Sequence, residues 1–191
     1  MDLNSMEGVV VDVESIYYPL NKGVTIYYNN IVVLKLKKSL ELESNPQLSK
    51  LNLPLENREY VGSAIISGYG ACQRGAAAIR NCTSLRYANV THPIIPCTPN
   101  YSLFSVTHER VFCGKMMPNN YTDRGTCTGD EGGALVMGDT VVGVLSLKSG
   151  RCDEVKSHSI YTKVSSYLNF IKNAMKDNVL STMGVESEFY F

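Results

Sequence analysis

Several signals are missing from this 191-residue chain, and each absence narrows what it can be. No apolar run approaches the ~18 residues needed to cross a bilayer, so no spanning helix is expected and the chain is not anchored by one. Charge of one sign is not in excess. Eighteen basic residues balance eighteen acidic ones, which leaves no net field to draw the chain to nucleic acid or to an anionic membrane. Histidine is scarce: His92, His108 and His158 stand apart, without cysteine or carboxylate at ligand spacing, so no metal site is expected and no cofactor is implied. The amino terminus has no basic segment, apolar stretch or cleavage signature, so no secretory leader is legible. Internal repeats and low-complexity tracts are also lacking.

What is present is the composition of a folded protein. With 44% apolar and 9% aromatic residues, the chain can bury one ordinary domain or two small barrels. Six cysteines, an even count, and four Asn-x-Ser/Thr acceptors at Asn81, Asn89, Asn100 and Asn120 suit an oxidising, secreted setting. That setting conflicts with the missing leader. The expectation is therefore that the sequence lacks its true start, or is an internally initiated or truncated form of a secreted protein. Six cysteines leave 15 disulfide connectivities open. Spacing alone suggests that Cys72 and Cys82 close a local loop around an Ala-rich segment.

Coarse patterning is β-rich. Val9–Val13, Tyr17-Tyr18-Pro19 and Ile31–Leu36 read as strands around a polar turn at Asn21–Gly23. Residues 37–62 are polar and carry breakers at Pro46 and Pro54, as a surface connection would, with a boundary near residue 50. Val141–Leu147 and Ile160–Val164 read as further strands by their β-branched content. Ser165–Met175 begins with capping residues and spaces Leu168, Ile171 and Met175 as one helix face. Residues 177–191 read as a loose tail ending in Phe189-Tyr190-Phe191.

The most informative stretch is Cys127-Thr128-Gly129-Asp130-Glu131-Gly132-Gly133-Ala134-Leu135-Val136. Its three glycines around two adjacent acids mark a tight, exposed turn that can approach another group closely. The stretch is similar to the Cys-x-Gly-Asp-Ser-Gly-Gly-Pro-Leu-Val pattern around the nucleophile of trypsin-like and chymotrypsin-like serine proteases, with Glu131 in the nucleophile's place. Ser63–Gly70 resembles the family's Ile-Ser-Gly-Trp-Gly strand, with tyrosine for tryptophan. Asn29-Asn30-Ile31-Val32-Val33-Leu34-Lys35-Leu36 resembles Asn-Asn-Asp-Ile-Ala-Leu-Leu-Lys-Leu. That match puts Asn30 where the family has the aspartate that orients its imidazole. Without the resemblance, Asn30 reads as a turn or strand-edge residue.

The resemblance, which spans about Glu7 to Met175, implies a degenerate catalytic centre. A carboxylate at Glu131 has no proton to give up to a base, and losing a triad serine costs roughly ~10^6 in turnover. An Asp-to-Asn exchange alone costs ~10^4 by favouring the wrong tautomer. No histidine precedes His92, so no residue matches the imidazole. The oxyanion-hole remnant is Gly129 and Glu131, whose carboxylate would repel a developing oxyanion. The specificity-pocket remnant is Gly125, Lys148 and Ser159, with Lys148 either filling the slot or standing as a surface lysine. By resemblance, Cys97 pairs with Cys113 and Cys127 with Cys152.

The implied fold is all-β and trypsin-like. Residues 1–50 would hold a partial first barrel, its last two strands, and the inter-barrel connection; 51–176 a complete second barrel with a C-terminal α-helix; 177–191 the tail. The missing first third of such a domain includes the Ile-Val-Gly-Gly start whose amine pairs with the acid matching Asp130, so Asp130 must find other donors. Two isolated strands would also leave edges unpaired. The implied function is that of a catalytically inactive serine protease homologue, a secreted decoy or scaffold acting through binding. Its implied partners are extracellular proteins: proteases, inhibitors or immune-cascade components. The alternative is a fragment of a trypsin-like serine endopeptidase. Carboxylate chemistry by Asp130 and Glu131 is disfavoured, because neighbouring residues in a turn point apart whereas catalytic pairs face one gap of ~5 to 9 Å.

Overall fold

The computed structural model describes residues 8–20, 29–56, 58–73, 79–81, 83–92, 109–116, 126–148, 158–180 and 183–186. Six strands close a barrel: β3 (Gly62–Gly68), β6 (Arg86–His92), β7 (Val111–Met116), β8 (Ala134–Met137), β9 (Thr140–Lys148) and β10 (His158–Lys163), in the order β10-β7-β6-β3-β8-β9. Every neighbouring pair is antiparallel. A short hairpin of β4 (Ala71–Gln73) and β5 (Ile79–Asn81) projects after β3. The all-β expectation therefore holds.

Period-two alternation builds the barrel. In β3, Ala64 and Ile66 are buried while Ser63 and Ile65 face out; Val90, Leu135 and Tyr161 join them in the core. Val142 and Leu145, three apart on β9, both enter it because β9 shifts register against β8 and β10. Phe112 and Tyr161 stack in this core with ring centroids 5.4 Å apart. Gly143 makes room for them, since a Cβ there would stand 2.6 Å from the Phe112 ring.

A second sheet has the order β11-β1-β2, from β1 (Val13–Pro19), β2 (Val33–Leu36) and β11 (Met183–Glu186). Two expectations change here. The first strand begins at Val13 rather than Val9, and Val10 is 94% exposed, with no strand against it among the described residues to give it a ladder. The tail is not loose throughout, because Met183–Glu186 pairs antiparallel with Ile16–Pro19. Consequently β1 has a partner on each side. Tyr17, Ile31 and Met183 bury their side chains against Val164, Tyr167, Phe170, Ile171 and Ala174, so the small sheet shares one core with the C-terminal helix.

The helix also differs in detail. A 3-10 turn over Val164–Tyr167 precedes α1 (Leu168–Ala174). Ser166 does not cap it; its hydroxyl donates to the Glu109 carbonyl. Met175, expected on the buried face, is the capping residue after the helix stops and is 72% exposed, while Phe170 and Ala174 fill the core.

Polar clamps fix β1 to this end of the molecule. Tyr17 donates its hydroxyl to Asp177, and Lys35 bridges Asp177 and Glu14 at 2.9 Å each. The hydrogen bond to Asp177 raises the Tyr17 phenol above its ordinary value, and the same bond lowers the Asp177 carboxyl.

Candidate functional site

The turn between Cys127 and Gly133 is shaped by its glycines. Gly129 and Gly132 take φ of 93° and 87°, a region that side chains disfavour. Asp130 N–H donates to the Cys127 carbonyl at 3.0 Å and Gly133 N–H to the Asp130 carbonyl at 2.9 Å, closing two successive turns. Strand β9 then grips the turn: Gly132 N–H donates to the Leu145 carbonyl at 2.8 Å, and Leu145 N–H donates to the Gly133 carbonyl at 2.9 Å.

Asp130 finds the donors it needs in the backbone. Its Oδ1 accepts from Gly70 N–H at 2.7 Å and its Oδ2 from Cys127 N–H at 2.8 Å. Charge-assisted bonds of this kind compensate a half-buried carboxylate without a cation. They also explain the Gly68-Tyr69-Gly70 sequence. A Cβ at Gly68 would lie 2.2 Å from Asp130 Oδ1, and one at Gly70 would lie 2.4 Å from the carboxyl carbon.

Glu131 turns the other way, into solvent, and its Oε2 accepts from Gly129 N–H at 2.7 Å. The two adjacent acids therefore serve separate donors, Gly70 and Cys127 for Asp130 and Gly129 for Glu131. They form no paired-carboxylate centre. Both residues expected to form the oxyanion-hole remnant are thus joined to each other.

Asn30 lies just before β2, and its Nδ2 donates to Ser146 Oγ at 2.8 Å. Thr162 Oγ1 donates to the Asn30 carbonyl at 2.8 Å. Asn29, held at φ 62°, accepts from Arg110 Nη1 at 2.7 Å and from Tyr167 Oη at 3.1 Å. Asn30 and the Glu131 turn are therefore fastened to consecutive residues of β9, Ser146 and Leu145. Sequence reading missed Ser146. It is the one hydroxyl between Val141 and Leu147, and its burial in a strand is the signal that could have marked it.

Ser159 is buried in β10, its hydroxyl bonded to Thr126 Oγ1 at 2.6 Å, and in register it faces Gly114 on one side and Lys148 on the other. Lys148 ends β9; its side chain lies outside the described part, as does Gly125. Two positions on from Ser159, burial pushes the Tyr161 phenol well above its ordinary range, so it stays protonated.

Cys113 and Cys127 are buried and disulfide-bonded; their expected partners Cys97 and Cys152 lie outside the described residues. Cys72 sits in β4 and its expected partner Cys82 is likewise outside. Among the described residues no cysteine is free, and no three His, Cys, Asp or Glu side chains gather as a metal site. Of the acceptor asparagines, Asn81 ends β5, Asn89 is exposed in β6, and Asn100 and Asn120 are outside. No helix among the described residues is long and apolar enough to cross a membrane.

The chain matches the family described as Trypsin over residues 2–171. It is 30% identical over 188 residues to the trypsin Tyr p 3.0101 of Tyrophagus putrescentiae, covering 96% of this chain and 63% of that protein. It is 29% identical over 161 residues to human kallikrein-15, covering 78% of this chain and 59% of that one. The chain thus spans about 60% of the length of these relatives. The solved structure of mouse-brain neuropsin, titled a serine protease, superposes with a TM-score of 0.71 at 23% identity, over 91% of this chain and 75% of that one, a likeness of fold.

Proposed function

Because this chain belongs to the trypsin family, we propose that it is a member without turnover of its own, a secreted homologue that acts by binding extracellular proteins such as proteases, inhibitors or immune-cascade components. The observation that carries this reading is the bond from Gly129 N–H to the Glu131 carboxylate at 2.7 Å. A nucleophile is replaced by a group with no proton to surrender, and that group occupies a backbone donor a developing oxyanion would use. Asn30 supports the same reading. Its amide nitrogen faces Ser146, so the side chain enters that contact as a neutral donor rather than as a carboxylate that could stabilise an imidazolium.

A fluorophosphonate probe tests the proposal. The purified, disulfide-formed chain is expected to remain unlabelled while retaining a protein partner in pull-down from its native extracellular fluid. Stoichiometric labelling, or peptide hydrolysis abolished by Glu131→Gln alone, would overturn it.

A second reading rests on the 63% span of the Tyrophagus trypsin: the chain is a portion of a longer trypsin-like serine endopeptidase. Under that reading, upstream sequence supplying a leader and a Thr-Ala-Ala-His-Cys segment is recovered from the transcript, and the longer protein cleaves peptide substrates.

A further inference from the structure

We propose that Asn89 carries an N-linked glycan whose first sugar covers Tyr87 and Ile65 on the outer face of the barrel. The inference rests on the secretory reading above. Strand β6 alternates cleanly: Ala88 and Val90 turn toward the core, whereas Tyr87 and Asn89 face out. Tyr87 is 75% exposed and Ile65, the residue paired directly across from Asn89 on β3, is 47% exposed. Val136 follows Ile65 in register on β8 and is half-buried, so Asn89, Ile65 and Val136 make one row across three strands, with Tyr87 beside it. An aromatic ring and a branched aliphatic side chain thus stand together on the water face of the barrel, an apolar surface that a neighbouring sugar can lie against.

Asn89-Val90-Thr91 is an acceptor sequence that sits at the centre of this patch. Of the four such sequences, it is the one whose asparagine side chain is both described and exposed. The distances suit a sugar. Same-face neighbours along a strand lie about 6.7 Å apart, and residues directly opposite have Cβ atoms about 5 Å apart, so a ring attached at Asn89 Nδ2 reaches both Tyr87 and Ile65. The C–H face of a pyranose, slightly positive, matches the electron-rich face of the tyrosine ring, while its hydroxyls stay in water.

The reaction requires a lipid-diphosphate-linked oligosaccharide, supplied by the secretory pathway. The bond from the anomeric carbon to the diphosphate oxygen breaks, a bond from that carbon to Asn89 Nδ2 forms, the amide loses one proton, and the lipid diphosphate leaves.

The test is to send the full chain through the secretory pathway of a eukaryotic cell behind a cleavable leader and to map glycopeptides by mass spectrometry. Asn89 is expected to be occupied in most molecules, with occupancy lost in Asn89→Gln and Thr91→Ala and kept in Thr91→Ser. An unoccupied Asn89 in the folded, secreted wild type overturns the proposal, and this result needs no variant to fold. The cover is read by an environment-sensitive dye. Removing the Asn89 glycan is expected to raise dye binding, and adding Tyr87→Ser with Ile65→Thr to restore the low value. Equal dye binding with and without the glycan overturns the covering role. Failure of the secretory reading is separate: it is the absence of the natural protein from extracellular fluid, whatever the directed chain carries.

Discussion

Glu131 and Gly129 are bound to each other, carboxylate Oε2 to backbone N–H, across 2.7 Å. A backbone amide has one hydrogen to give, so this side chain and an incoming carbonyl oxygen compete for the same donor. The first prediction is spectroscopic. The Gly129 amide proton resonance should shift in Glu131→Gln relative to the parent chain, because the acceptor on its N–H changes from a carboxylate to a neutral amide. Because both residues are exposed, the substitution should change stability by no more than ~1 kcal/mol. A Gly129 amide indifferent to this substitution would remove the contact from consideration.

The cradle around Asp130 predicts a coupled pair of mutations. Gly70→Ala brings a Cβ to 2.4 Å from the Asp130 carboxyl carbon and should destabilise by about 1–3 kcal/mol. In an Asp130→Ala background most of that cost should disappear, since the obstructing carboxylate is gone. Additive losses in a double-mutant cycle by urea unfolding would show that the obstruction lies elsewhere.

Leu135 is fully buried among Ile66, Val90 and Leu145, on the strand that follows the glycine turn. Leu135→Ala should cost about 3 kcal/mol through lost burial and the cavity left behind. The closed barrel should stay intact by far-ultraviolet circular dichroism under conditions where folded protein persists.

The Tyr17–Asp177 bond sets a pH window. The Asp177 carboxyl is lowered in the folded state, so its contribution is present above its unfolded pKa and is lost as pH falls through the folded one. The Tyr17 phenol is raised, so its contribution is present below its unfolded pKa and is lost as pH rises through the folded one. The protection factor of the Met183–Glu186 amides, taken against the intrinsic exchange rate at each pH, should be highest between those limits and fall on both sides. Tyr17→Phe and Asp177→Asn should each flatten the profile, and an unchanged profile in both would dissociate the bond from strand β11.

Much of this architecture could be read in advance where a local rule was also the deciding one. β-branched content marked Val141–Leu147 and Ile160–Val164 as strands, since such side chains fit a pleated, half-buried surface, and resemblance placed Ser63–Gly70. The glycine turn was legible because positive φ selects glycine. Strand β11 was not, since Met-Gly-Val-Glu is short and carries a glycine. Its place is decided by Met183 entering a distant core and by Tyr18 lying so close over Gly184 that a Cβ there would stand 2.3 Å from the ring. At the site, the Asn30–Ser146 bond joins residues 116 positions apart, beyond any pattern a window of sequence can register. The helix was misjudged in its first and last turns, where Ser166 and Met175 answer to neighbours rather than to helical spacing.

The pairing of β1 with β11, fastened by a side-chain bond spanning 160 positions, ties the timing of synthesis to the completeness of the small sheet. A ribosome emits β1 long before its second neighbour exists, so the nascent chain must carry a half-satisfied strand while the whole barrel is being translated. Chaperone occupancy during elongation, and its release only after Met183–Glu186 clears the exit tunnel, is the cellular signature this arrangement should leave.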